Sequence, residues 1–346
     1  MSEYVRGVPT FVRPDAGLMR RAARPTAREW RRHAFFFALT ALTMTWAGMS
    51  FMLPPDKVEP VLAAPATALE YLLYVPKYYA LALAAAGSYA LAHPHFIGEG
   101  LKFAGALLSR LLAHESGHYV ACRLYGVDAT LPFFIPVPPP FMAGTLGAFI
   151  KIRSPIPSRR ALFDIGVAGP LAGFLVIIPV ACLALLKAAP APPDQASADA
   201  LVIIFNDPPL MRLLAAPLGV GDLAGIAPNP FYFAAWIGLL VTSLNLLPVG
   251  QLDGGHAVYS VLGRRAHRYA GLAAFLSMLA LAPLGWLWHG VPSGFLYVAL
   301  LFVMLRLPHP QPVEEHDALG TPRLCVALVT LLVFLLSFIP FPLTVR

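Results

Sequence analysis

The chain reads as an all-α polytopic membrane protein of six to eight membrane segments, with a small membrane-associated β loop following one of its central helices. Three observations predict this class. Hydrophobic residues fill 58% of the 346 positions and charged ones only 12%, whereas a soluble globular domain is about one quarter charged. Apolar runs recur at about 34–53, 70–92, 101–123, 162–187, 231–248, 269–287, 294–306 and 324–341, several of them long enough to cross a bilayer. Between the third and fourth lies an apolar stretch, 126–160, with six prolines from 132 to 155. That is too many for a continuous helix.

Taken in order, residues 1–33 hold eight arginines against Glu3, Asp15 and Glu29, a net charge of +5. This Pro/Arg-rich stretch has no apolar core, so it reads as a loosely ordered basic tail lying against anionic headgroups. The excess charge is local and is not a nucleic-acid footprint. The run from Ala34 to Leu53 is too long for a cleavable signal peptide and reads as an anchor. From 34 to 346 the chain reads as a single integral-membrane domain. Pro76 and Lys77 interrupt the second run. In 126–160 the segment Gly144 to Arg153 has strand-forming residues after a Gly-x-x-Gly turn, so a re-entrant β element is expected there. Residues 188–229, with Asp194, Asp199, Asp207 and Asp222 against Arg212, read as a polar linker, too short for a further domain. Cys122, Cys182 and Cys325 lack CxxC spacing and read as small packed residues.

Charge patterning sets a parity problem. The basic loop with Lys151, Arg153, Arg159 and Arg160 and the cluster Arg264, Arg265 and Arg268 are two segments apart, so both can face the cytoplasm. The arginine-rich tail belongs on that side too, yet three runs separate it from 151–160. The expectation is that 70–92, with its Pro-Lys break, does not span.

The run 101–123 contains His114-Glu115-Ser116-Gly117-His118. Residues four apart share one helix face, so His114 and His118 grip one metal ion, while Glu115 reaches a water beside it. Ionisable groups in a membrane helix are costly and point to function. A catalytic zinc site needs a third protein ligand. In the segment 231–256, Asp253 follows an apolar run broken by Pro248 and Gly250, and it supplies a hard oxygen. Asn245, eight residues earlier, points the same way along a broken helix as a hydrogen-bond donor. The competing reading of Asn245 and Asp253 is a polar pair joining helices. His256 is expected to face water at the membrane surface.

The pair His114-Glu115-Ser116-Gly117-His118 and Asn245-Leu-Leu-Pro-Val-Gly-Gln-Leu-Asp253-Gly resembles the site-2 protease family of intramembrane zinc metalloproteases. Phe163-Asp-Ile-Gly-Val-Ala-Gly-Pro-Leu-Ala-Gly173 is similar to that family's third signature, and Gly144-Thr-Leu-Gly-Ala148 to its membrane-dipping β loop. His309-Pro-Gln-Pro312 resembles a late motif of the simple branch without a PDZ domain. The resemblance covers roughly residues 100–343. It implies one catalytic Zn2+ held by His114, His118 and Asp253, Glu115 as the base, and Asn245 beside the reacting carbonyl. It further implies an active site inside the bilayer towards the cytoplasmic side of the cell membrane, and transmembrane proteins as substrates. An edge strand at Gly147–Ile152 would bind an unwound substrate by strand addition, with Gly144, Gly147, Ala148, Phe149 and Ile150 expected to meet it. Two features depart from the pattern: the run 70–92 has no counterpart, and Arg110 places a cation on the metal-binding face. Arg110 is expected to extend away by a helical turn. The competing functions are an inactive zinc-binding regulator and an ion- or proton-coupled transporter. A proton relay needs no glutamate directly after the first histidine, and an inactive regulator needs no base.

Overall fold

A computed structural model describes residues 24–54, 67–138, 141–190, 203–315 and 318–345. The expectation for the tail therefore lies largely outside the described residues, as do 191–202 of the linker. The order of elements is α1 (Ala27–Met52), α2 (Ala68–Ala92), α3 (His95–Leu124), β1 (Phe133–Pro136), β2 (Thr145–Phe149), α4 (Arg159–Leu186), β3 (Ala189–Pro190) and β4 (Ile203–Phe205). There follow α5 (Pro209–Ala215), β5 (Ile226–Ala227), α6 (Pro230–Asn245), α7 (Asp253–His289), α8 (Gly294–Arg306), α9 (Thr321–Ser337) and β6 (Leu343–Val345).

Among the described residues the fold is a helix bundle with three two-stranded sheets. Of the six to eight membrane segments expected, three described helices, Ala27–Met52, Arg159–Leu186 and Asp253–His289, are long and apolar enough to cross a membrane. The last is not continuous: Gly263, at φ 85° and ψ 175°, breaks it, in a conformation only glycine adopts without strain. Shorter apolar helices occupy Pro230–Asn245, Gly294–Arg306 and Thr321–Ser337.

α1 starts seven residues before the apolar run. Thr26 caps it, its hydroxyl accepting from the Glu29 N–H while the Glu29 carboxylate accepts from the Thr26 N–H. That reciprocal pair satisfies two otherwise orphaned donors. Arg28, Arg31 and Arg32 are therefore helical, not part of a loose tail.

α1 and α3 pack antiparallel. Gly48 fits against Phe103 and Gly100 against Thr45, while near the other end His33 and Phe37 share a cavity wall with Leu112, Ser116 and Tyr119. The end of α1 and the start of α3 meet in one apolar cluster, with Met49 and Leu53 beside Phe96 and Ile97. α2 joins this cluster through Ala86 and Ala90, and it leaves Leu69, Leu72, Leu73 and Leu81 exposed. The start of α1 and the basic loop lie at one end, where Arg153 Nη2 is 2.9 Å from Glu29 Oε1.

α3 and α4 form the central pair. Gly117 meets the Ala168 carbonyl, and Gly173 meets His114 and Arg110, so the third signature is a stripe of small residues that lets two backbones close in. α6 runs back along α4, its cap Asn229 donating to the Ala184 carbonyl at 2.8 Å. The expected polar linker is folded in its described part. Leu210, Met211, Ala215 and Leu223 are buried in the main core, and Ile203–Phe205 pairs antiparallel with Leu343–Val345. Its polar residues act as partners: Tyr232 donates to Asp207, and Trp236 donates to the Asn206 carbonyl.

Candidate metal centre

α3 is the rigid base of the site. His114, Glu115 and His118 are all buried on it, on the side that meets α4 and α7. α6 stops at Asn245, and the turn through Pro248 and Gly250 reverses the chain. Gly250 lies so close to the Met304 carbonyl of α8 that a Cβ would sit 2.3 Å from it. Asp253 then opens α7, which carries its carboxylate back to the histidines.

Among the described residues, one group of three metal-ligating side chains converges: His114, His118 and Asp253, with one ligand atom from each within 4.8 Å of the others. The Nε2 atoms of His114 and His118 are 3.1 Å apart. Asp253 Oδ2 is 3.4 Å from His114 Nε2, and Oδ1 is 3.4 Å from His118 Nε2. The two imidazole nitrogens and the Asp253 carboxylate, one oxygen of which faces each imidazole, form a triangle whose size is close to the roughly 3.3–3.5 Å that separates ligand atoms around a tetrahedral zinc ion with bonds of about 2.0–2.2 Å. His118 Nδ1 lies 2.7 Å from the Ile165 carbonyl oxygen. A carbonyl only accepts, so the proton sits on Nδ1 and the Nε2 lone pair is left for a metal.

Glu115 Oε1 is 3.9 Å from His114 Nε2, beside the triangle rather than part of it. The backbone of Ile150 lies near the same carboxylate, which brings the end of the β loop to the metal-side face of α3. Asn245 Nδ2 lies 3.2 Å from His114 Nε2. Asn245 and Asp253, from the two sides of the broken helix, thus converge on one histidine.

The β loop is a hairpin. Phe133 pairs with Phe149 and Phe134 with Ala148, antiparallel and with a register shift before Pro136. β1 leans on α1, with His33 Nδ1 donating to the Pro132 carbonyl at 2.9 Å. β2 has β1 as its one strand partner among the described residues. Gly144 is engaged internally: its carbonyl accepts from Thr43 Oγ1 at 2.7 Å. Of the five residues expected to meet a substrate, Gly147, Ala148, Phe149 and Ile150 are thus the stretch not tied to α1.

Several supports were not visible in the motifs. Gly169 packs so tightly that a Cβ would stand 2.1 Å from His118 Nε2. Arg110, fully buried, reaches one turn away from the metal group and donates from Nη2 to Thr242 Oγ1 at 2.7 Å. Cys122 is buried among Val127, Ile156 and Leu162, away from the triangle. His256 is half-buried and engaged, where it was expected to face water. Its Nδ1 is 3.0 Å from His309 Nε2, and His309 stacks on Tyr259 with centroids 4.4 Å apart. The late motif therefore closes over the start of α7.

The fold and site define a class: helical proteins of the membrane type that hold a two-histidine, one-aspartate metal group in the middle of a bundle. The sequence model of peptidase family M50 matches residues 102–282. The chain belongs to that family, the site-2 protease family, whose metal is zinc. A probable zinc metalloprotease, EGY1, chloroplastic, of Oryza sativa subsp. japonica is 32% identical over 252 residues, covering 71% of this chain and 41% of that protein. EGY1 of Arabidopsis thaliana is 31% identical, covering 71% and 44% respectively, and EGY2 of the same plant is 31% identical, covering 69% and 42%. The chain thus spans less than half the length of the curated relatives it matches. No solved structure matches it.

Proposed function

We propose that this chain is an intramembrane zinc metalloendopeptidase that hydrolyses peptide bonds in or near transmembrane segments of other membrane proteins. The observation that carries the reading is the convergence of His114, His118 and Asp253 with a glutamate directly beside them, in a chain of this family. A zinc ion held by these three side chains supplies a Lewis acid that lowers the pKa of water to about 7 and polarises a carbonyl.

The chain's own residues do the rest. Glu115 takes the proton from the attacking water and returns it to the leaving nitrogen. Asn245 Nδ2 donates a hydrogen bond to the oxygen on which negative charge develops. A helical substrate hides its carbonyls in its own hydrogen bonds, and unwinding it in lipid leaves polar groups unsatisfied. The outer edge of β2 beyond Gly147, with Ala148, Phe149 and the following Ile150, offers replacements by strand addition, and this stretch runs past the α3 face that carries Glu115.

The bundle sits in the cell membrane with six to eight segments, and the end bearing Arg153, Arg159 and Arg160 faces the cytoplasm. Support comes from the start of α1 and the basic loop sharing that end. A topology reporter fused after residue 95 reads external in this orientation, and a cytoplasmic signal overturns it. For the activity, purified chain is incubated with transmembrane peptides. Wild type cleaves them and chelator stops it. Glu115→Gln keeps its zinc and loses about 10²–10⁴-fold in rate. Cleavage that survives both chelator and Glu115→Gln overturns the function.

A further inference from the structure

Arg110 is the largest fully buried side chain among the described residues. Burying a cation is costly unless opposite charge reaches it, and the carboxylates whose field does so are Glu115 and Asp253. Yet among the described residues it forms no ion pair. Its Nε and Nη1 have no hydrogen-bond partner, so the bond from Nη2 to Thr242 Oγ1 is the one direct bond that fixes the guanidinium. Thr242 is itself held, its hydroxyl donating to the Gly238 carbonyl at 2.7 Å. Room for the side chain comes from Gly173 of α4, where a Cβ would lie 3.3 Å from Arg110 Nε.

The place of this bond gives it meaning. Arg110 is one turn before His114 on α3, and Thr242 is one turn before Asn245 on α6. Two rungs therefore join the same pair of helices: Arg110 to Thr242 at 2.7 Å and His114 to Asn245 at 3.2 Å. From this geometry we infer that Arg110 is a positioning residue for Asn245. The lower rung locks the rotation and height of α6 against α3 and so sets the Asn245 amide over the reacting centre. This rests on the proposed function, since Asn245 is given work only there. A hydrogen-bond donor aimed at a developing oxyanion contributes only when it is already in place, and a misplacement of about 1 Å costs on the order of 100-fold.

The test is a double-mutant cycle with two readouts: peptide turnover, and the affinity of the zinc-loaded chain for a phosphinic peptide that mimics the tetrahedral transition state. Thr242→Val, which keeps the shape and removes the acceptor, lowers kcat and weakens the phosphinic peptide about 10-fold, with KM and zinc content unchanged. Thr242→Ser, which keeps the hydroxyl, restores both. In an Asn245→Ala background, Thr242→Val changes either quantity less than 2-fold. Arg110→Lys, which keeps a donor, stays nearer wild type than Arg110→Met. A Thr242→Val effect as large without Asn245 as with it, or a Thr242→Ser variant as impaired as Thr242→Val, overturns the inference. A wild type that neither cleaves nor binds the phosphinic peptide overturns the proposed function and this inference with it.

Discussion

Two groups of imidazoles lie at the start of α7, and they differ in what surrounds the same ring. In the first, His114 and His118 turn their Nε2 atoms to a common point that the Asp253 carboxylate closes. In the second, His256, His309 and His267 meet by ring contacts, with Tyr259 stacked on His309 and Glu315 engaged by the Tyr259 hydroxyl at 2.6 Å. The first turns its ring nitrogens to one point, whereas the second is joined ring to ring by edge contacts, the Tyr259–His309 stack and the His256–His309 hydrogen bond. Among the described residues only the first is a group that could hold a metal ion. The difference teaches that three histidines do not make a ligand set; a shared focus and a carboxylate do. The second group is a latch, holding the segment after α8 against α7 by stacking.

Substitutions that exchange these characters break the comparison. The largest effect is expected at Gly169, whose closeness to His118 gives the first group its shape. Gly169→Ala pushes the imidazole off its line and lowers zinc affinity about 10–100-fold, the range seen when support around a ligand is lost; zinc competition with a chromophoric chelator measures it. The latch responds to pH instead. Burial, then the nearby His256 and His267, pushes His309 down to about 3. A folded pKa below the ordinary histidine value means that the unfolded chain takes up the proton first. The latch contributes fully above about pH 6.5 and loses its contribution as pH falls towards 3. The groups facing His309 are His256, His267 and Tyr259, the last bonded to Glu315. Metal-free protein should unfold a few degrees lower at pH 5 than at pH 7. His309→Phe should flatten that slope, and an unchanged slope would show that His309 is not its source.

The metal group was legible because its chemistry is local in the sequence. His114, Glu115 and His118 lie within one helical turn, and Asn245 and Asp253 flank a Pro-Gly break. What escaped was set by approach between helices: the Ile165 carbonyl behind His118, the touch of Gly169, and the partner of His256, which is 53 residues away. The capping pair Thr26 and Glu29 was present in the sequence, but hydrophobicity placed the helix at the first apolar residue. The folded part of 203–229 looked like a linker because its aspartates were counted as solvent-facing, whereas Asp207 accepts a hydrogen bond from Tyr232. The helical class, set by long apolar runs, held, with three described helices long and apolar enough to cross a membrane where six to eight segments were expected. The antiparallel pairing of α1 with α3 did not follow from hydropathy, because it is set by the contacts of Gly48 and Gly100.

The central claim is that the metal site is split, half on the helix with the paired histidines and half at the start of α7. The most direct measurement is zinc per chain after mild chelator washing, for wild type, Asp253→Ala and His309→Phe, each checked for folding. The account predicts one zinc ion in wild type and in His309→Phe, and none in Asp253→Ala. Zinc retained without the Asp253 carboxylate, or lost with the His309 ring, would contradict it.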